Sequence, residues 1–146
     1  MSFKFKLQPV LKHRTLLENG ARQALADAMA EEAAMQQLIE EHTRAFTALQ
    51  QEFGEKKSRG MALEELIIYD RSLKRRSAKL KELRTRAGEL HAKTEQRRAA
   101  LTEASKDKTL MEKLREKMEE EHRQEMLRRE MIHLDEVALL LEKNRL

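Results

Sequence analysis

One stretch alone breaks the helical spacing of this chain's apolar residues: Phe53-Gly54-Glu55-Lys56-Lys57-Ser58-Arg59-Gly60. Two glycines in a polar run, bracketed by long periodic stretches, mark a turn between helices. A chain of 146 residues with a single such break has few folds open to it. It can form two long helices folded back on each other, or long helices paired with another chain.

The stretch before the break carries a 4,3 spacing through Val10, Arg14, Leu17, Ala21, Ala24, Ala28, Glu31, Met35, Leu38, His42, Ala45 and Leu49. A flanking heptad row holds Leu11, Leu25, Ile39, Phe46 and Phe53. Together they make the one-sided stripe a packed helix requires. Pro9, the only proline, stands where that helix should begin. Its missing N–H is harmless in a first turn. After the break Leu66, Leu73, Leu80, Ala87, Thr94 and Leu101 follow at steps of seven. This row fades over Thr102 to Lys108, where the register is expected to slip as a stutter makes it. A last stripe runs through Leu127, Met131, Leu134, Ala138 and Leu141.

The expected fold class is therefore all-α: two long helices in an antiparallel coiled-coil hairpin with an overhanging C-terminal helix segment. Residues 1–146 read as a single coiled-coil domain, with helix 1 at about 10–53, the turn at 54–60 and helix 2 at about 61–143. At 1.5 Å per residue the helices would span about 66 Å and about 125 Å. Folding back at the turn sets Val10 against a residue near Ala104. The stripe beyond that point has no partner within the chain, and an amphipathic helix without a mate docks on another molecule or frays.

Charge points to the same pairing. Between Glu18 and Glu55 acids outnumber bases, whereas Arg71 to Arg98 is dense in Lys and Arg. An acidic arm followed by a basic one is expected to close on itself, with charge selecting the pairing and apolar burial supplying its stability. Composition agrees: charged residues are 38%, aromatics 3%, and Leu, Ala and Met dominate the apolar set. Such a chain builds a helical seam rather than a three-dimensional core. With no cysteine, disulfides and thiolate metal sites are excluded and a cytoplasmic location is the expectation. Met1 to Leu7 lacks the apolar run of a signal peptide, and no stretch has the roughly 18 apolar residues of a membrane span.

Chemistry finds little footing. Gly-rich phosphate loops, a nucleophile elbow and an HExxH motif are all missing. No two of the five histidines stand at i,i+4 spacing, so no helical metal pair is formed. The expectation is no enzyme, no catalytic residue, no metal and no cofactor. The basic run Arg71-Ser72-Leu73-Lys74-Arg75-Arg76 invites comparison with a zipper protein. Here, however, the leucines lie inside the basic region, and aromatic platforms for single strands are nearly absent. Methionines such as Met111, Met118, Met126 and Met131 suit either an adaptable binding surface or a longer seam. The run Leu66-Ile67-Ile68-Tyr69 covers more than one helix face, which leaves apolar side chains exposed beside the turn.

Two motifs lie outside the heptad logic. The opening Phe3-Lys4-Phe5-Lys6-Leu7-Gln8-Pro9-Val10-Leu11-Lys12-His13-Arg14 resembles the F-x-F-x-L-Q-x-V-L-x-x-R start of the FliJ family of the bacterial flagellar type III export apparatus. The stretch Leu101-Thr102-Glu103-Ala104, then Glu112-Lys113-Leu114-Arg115-Glu116, and the ending Leu134-Asp135-Glu136-Val137-Ala138 resemble that family's later segments. The resemblance spans almost the whole chain.

It implies a non-enzymatic stalk or adaptor, similar to the central stalk of rotary ATP synthases. Its implied partners are a FliI-like export ATPase ring, a FlhA-like export gate protein and substrate-specific export chaperones. No nucleic acid is implied, and membrane association at the inner face of the cell membrane comes only through partners. On this reading Phe3, Phe5, Leu7, Met118, Met126, Met131, Leu134 and Val137 would meet the ATPase. Leu66, Ile67, Ile68, Tyr69 and Leu73 at the tip would meet the gate. The alternatives left by the residues alone are a generic homodimeric structural coiled coil and a basic helical nucleic-acid binder.

Overall fold

The computed structural model describes residues 2–145. They form two helices, α1 (Gln8–Arg59) and α2 (Leu63–Asn144), packed antiparallel, with no strand among the described residues. The expected all-α hairpin is the observed fold. The chain divides into two compact units, residues 21–101 and residues 2–20 with 102–145.

In the first unit the helices join through Gly60, Met61 and Ala62, a shorter turn than the expected 54–60. Gly54 does not interrupt α1, because one glycine in a long packed helix costs only about 1 kcal/mol. The helix ends instead at Gly60, whose φ of 95° is the left-handed conformation that closes helices and that side-chain-bearing residues avoid. Lys56, Lys57 and Arg59 occupy the last turn of α1, and Glu64 and Glu65 the first turn of α2. Each set carries the sign its helix end favours.

The buried seam of this unit is centred on Ile39, Leu80 and Leu83, with Met35, Leu38, Phe46 and Ala87 packed against them. Leu25, Ala28 and Leu90 are also buried. Among the α1 positions it is the row expected to flank, Leu25, Ile39, Phe46 and Phe53, that turns inward most consistently. Ala21, Ala28, Met35, His42 and Leu49 accompany it. These five belong to the expected main row, of which Ala24, Leu38 and Ala45 are half-buried as well, whereas Leu17 and Glu31 are exposed. Glu32 continues the inward row, and its Oε1 lies 2.8 Å from Nδ1 of His91. Thr94, the next inward position on α2, is almost wholly buried and donates its hydroxyl to the Leu90 carbonyl at 3.0 Å.

In the second unit the start of α1 lies along α2. Leu11 is buried, whereas Val10 and Leu17 are exposed. Gln8 N–H bonds Phe5 O at 3.1 Å and Leu11 N–H bonds Leu7 O at 3.0 Å, tying the Pro9 turn to the segment before it. Glu18 is 7% exposed, and Lys108 donates to its carboxylate at 3.3 Å. This pair corrects the expected stutter. Lys108 stands seven residues after Leu101, so the heptad row of α2 does not slip at 102–108. It changes from apolar to charged, and Glu18 is the inward residue that answers it. Arg14 and Asp107 add a second ion pair at 3.4 Å.

The reach of the pairing is also corrected. The Phe3 and His122 rings lie 5.6 Å apart, so the chain before and at the start of α1 covers α2 well past Ala104. Every described residue from 127 to 145 is exposed, and the overhang begins there.

Candidate interaction surfaces

The expected ATPase-facing residues divide by environment. Phe5 is buried and Phe3 half-buried, with the Phe3 ring tilted 47° against His122. Met118 and Met126 are half-buried on α2. These four lie in the intrachain packing of residues 2–20 with 102–126. Leu7, Met131, Leu134 and Val137 are exposed, so only the last three stand on the unpaired part of α2.

That unpaired part is strongly apolar. Leu127, Met131, Leu134, Ala138 and Leu141 recur at steps of four and three and share one face. Ile132, Val137, Leu139 and Leu140 widen it, and all the large apolar side chains here are exposed. Leu139 and Leu140 are the residues that stripe reasoning passes over. The signal that finds them is the run Leu139-Leu140-Leu141, which no single helix face can absorb. An exposed apolar surface of this extent is more than a monomeric soluble protein ordinarily leaves to water.

Where the pairing stops, the helix is braced by its own charges. Arg123 donates to Glu120 at 2.7 Å, and Glu125 accepts from Arg128 at 2.7 Å and from Arg129 at 3.2 Å. Arg128 first, then Arg129, holds the Glu125 carboxyl down to about 2. Such i,i+3 and i,i+4 pairs each add a few tenths of a kcal/mol to an exposed helix.

The turn presents a second surface. Leu66, Tyr69 and Leu73 are half-buried toward the seam, whereas Ile67 and Ile68 point outward. Tyr69 is engaged within the chain: its ring stacks on Phe53 at 5.4 Å, and its hydroxyl donates to Glu52 at 3.0 Å. Lys56 sits 5.3 Å over the Tyr69 ring, and hydrogen bonding to Tyr69 raises its ammonium above the ordinary lysine value. Leu63, 72% exposed, joins Ile67 and Ile68. Sequence reasoning assigned it no role because it lies ahead of the heptad row, at the first helical position after the turn.

The closing of an acidic arm on a basic one is partial. Lys93 and His91 reach across to Glu31 and Glu32. From Arg71 to Arg86, however, the ion pairs among the described residues run along α2 itself, Lys74 to Asp70, Lys79 to Glu82 and Arg86 to Glu89.

For small molecules the described residues offer open grooves. One of them, about 670 Å³, runs between Leu11 and Leu16 of α1 and Glu112 and Glu116 of α2. Among the described residues no three His, Asp or Glu side chains converge on a point where a metal ion could be held, and no helix is long and apolar enough to cross a membrane. The arrangement is suited to holding proteins along helical faces.

No curated protein and no solved structure matches the chain. A family model described as "Flagellar FliJ protein" matches residues 3–146.

Proposed function

From the membership of this chain in the FliJ family, whose proteins are structural components of the flagellar export apparatus, we propose that it acts as a stalk-like adaptor. It binds the export ATPase ring and links it to the export gate and to the chaperones of export substrates. It hydrolyses nothing itself, and it works at the inner face of the cell membrane, held there by its partners.

One observation carries this reading: the unpaired apolar face of α2 from Leu127 to Leu141, exposed at every described position. A helix needs a tertiary partner to be stable in water, so this face is fitted to insert into another protein. Met131, Leu134 and Val137 are the residues on it that we assign to the ATPase ring. Phe3, Phe5, Met118 and Met126 then act by positioning that segment, and the exposed Leu7 adds to the surface assigned to the ring. Ile67 and Ile68, with Leu63, supply the exposed apolar side chains for the gate. Leu66, Tyr69 and Leu73 hold that corner in shape.

The test is a pull-down with the export ATPase of the same organism, followed by its hydrolysis rate with and without this protein. The expected result is complex formation with altered turnover or ring assembly. Absence of both would remove the adaptor reading. A stable homodimer that buries Leu127 to Leu141 in sedimentation would replace it with a structural coiled coil.

A further inference from the structure

We propose that the outward face of α2 beside the turn is a docking surface for an anionic lipid bilayer, contacted directly, in addition to the hold that partner proteins provide. Residues 71–86 carry eight cations against one acid, Glu82, and all nine are exposed. Among the described residues Arg71, Arg75, Arg76, Lys81 and Arg84 enter no ion pair, whereas Lys74, Lys79 and Arg86 are each met from their own helix. The acids of α1 that lie nearest in the antiparallel pairing, Glu40 and Glu41, form no ion pair with this stretch. The unit therefore keeps a strong positive field on this side.

The geometry joins that field to apolar side chains. Leu63, Ile67, Arg71, Lys74, Ala78 and Lys81 follow one another at steps of four, four, three, four and three, which places them on one helix face. The seam residues Leu80 and Leu83 lie on the opposite side and are buried. The outward face thus begins with Leu63, Ile67 and Ile68, which are exposed at the turn, and continues as a basic stripe. Clusters of four to eight Lys or Arg on a helix bind anionic headgroups, and adjoining aliphatic side chains bury at the headgroup–acyl boundary.

The same features count against a nucleic acid. Non-specific strand binders add aromatic stacking platforms to their charge. The one aromatic here, Tyr69, is stacked on Phe53 and bonded to Glu52. A phosphate backbone also has no use for exposed isoleucines.

The experiment is co-sedimentation of the full chain with vesicles of phosphatidylglycerol and phosphatidylethanolamine in equal parts, and with phosphatidylcholine vesicles, across a salt series. It needs no export protein, so its outcome is separable from that of the adaptor reading. Expected is binding to the anionic vesicles alone, falling as salt rises. Each cation contributes about fivefold to such binding, so the triple variant Arg71→Gln, Arg75→Gln, Lys81→Gln should weaken it by about a hundredfold. Ile67→Ser with Ile68→Ser should abolish the fraction that resists salt. All five positions are exposed, and unchanged helical circular dichroism would show that the variants fold. Equal binding to both vesicle types, or a triple variant that binds like the parent, overturns the proposal. So does capture of a single-stranded oligonucleotide through the same residues without vesicle binding.

Discussion

Glu32 and His91 face each other from opposite helices with 2.8 Å between carboxylate oxygen and ring nitrogen, at an inward position that every neighbouring heptad fills with an apolar side chain. The imidazole first, and then the Thr94 hydroxyl, hold the Glu32 carboxyl below its ordinary value of 4.5, with Arg98 acting in the same direction.

A carboxyl depressed in the folded state contributes stability that is fully present above its unfolded pKa and is lost as pH falls through the lower, folded value. His91→Ala should therefore lower the melting temperature near neutral pH. The gap from the parent should close as the pH falls below the carboxyl's ordinary value of 4.5 and through its lowered one. Thermal melts by circular dichroism across this range test it, and a gap that persists undiminished in acid would assign the loss to packing.

Glu18 and Lys108 allow a sharper test, because one partner is buried and the other only partly so. Lys108→Ala removes a charged hydrogen-bond partner from Glu18 and should cost roughly 1–2 kcal/mol. Glu18→Leu combined with Lys108→Leu replaces the pair with apolar volume and should restore or exceed the parent's stability. Chemical denaturation of the parent and these two variants measures both.

The two glycines flanking the end of α1 should respond to alanine in opposite directions. Gly54 is helical, with open space around the site of an added Cβ, so Gly54→Ala should stabilise by up to about 1 kcal/mol. Gly60 sits at φ 95°, so Gly60→Ala should destabilise by about 1–2 kcal/mol. Denaturation midpoints decide, and a stabilising Gly60→Ala would argue against the left-handed turn.

Amide hydrogen exchange should be graded along α2. Residues 127–144 have no intrachain cover and should exchange fast, whereas Leu80 to Thr94, which carry the buried seam, should be the slowest. Adding the export ATPase should slow exchange over Leu127 to Leu141. Replacing Met131, Leu134 and Val137 with serine should remove that protection without changing the rates at Leu80 to Thr94.

Much of this fold is legible in the spacing of Leu, Ile, Ala and Met, because a two-helix seam is a one-dimensional code. The errors arose where a single residue type carried two meanings. Gly54 looks like a breaker in sequence, but its cost is small enough for the helix to run on through Lys56 and Lys57, which lie over the Tyr69 and Phe53 rings. Lys108 looks like a gap in the row, and only the opposing Glu18 shows that it occupies the row. On α1, the alanines and glutamate of the expected main row made it look central. The neighbouring row of Leu25, Ile39, Phe46 and Phe53 proves to share the seam with Ala28 and Met35. At the candidate surfaces, exposure of Met131, Leu134 and Val137 follows from the absence of a mate. The burial of Phe5 does not, because nothing in the sequence tells how far the segment before Pro9 reaches along α2.

The Glu18–Lys108 pair has a further consequence for the length of what lies beyond it. Sliding α1 by one heptad one way would set Glu18 against Leu101 and Lys108 against Leu11, and the other way would set Lys108 against Leu25, so either shift strands a seam charge and the pair favours the observed alignment. That alignment in turn decides where cover by the first residues of the chain runs out, near His122 and Met126. The polar pair thus works as a ruler: it measures off how many turns of α2 are kept inside and how many are left free.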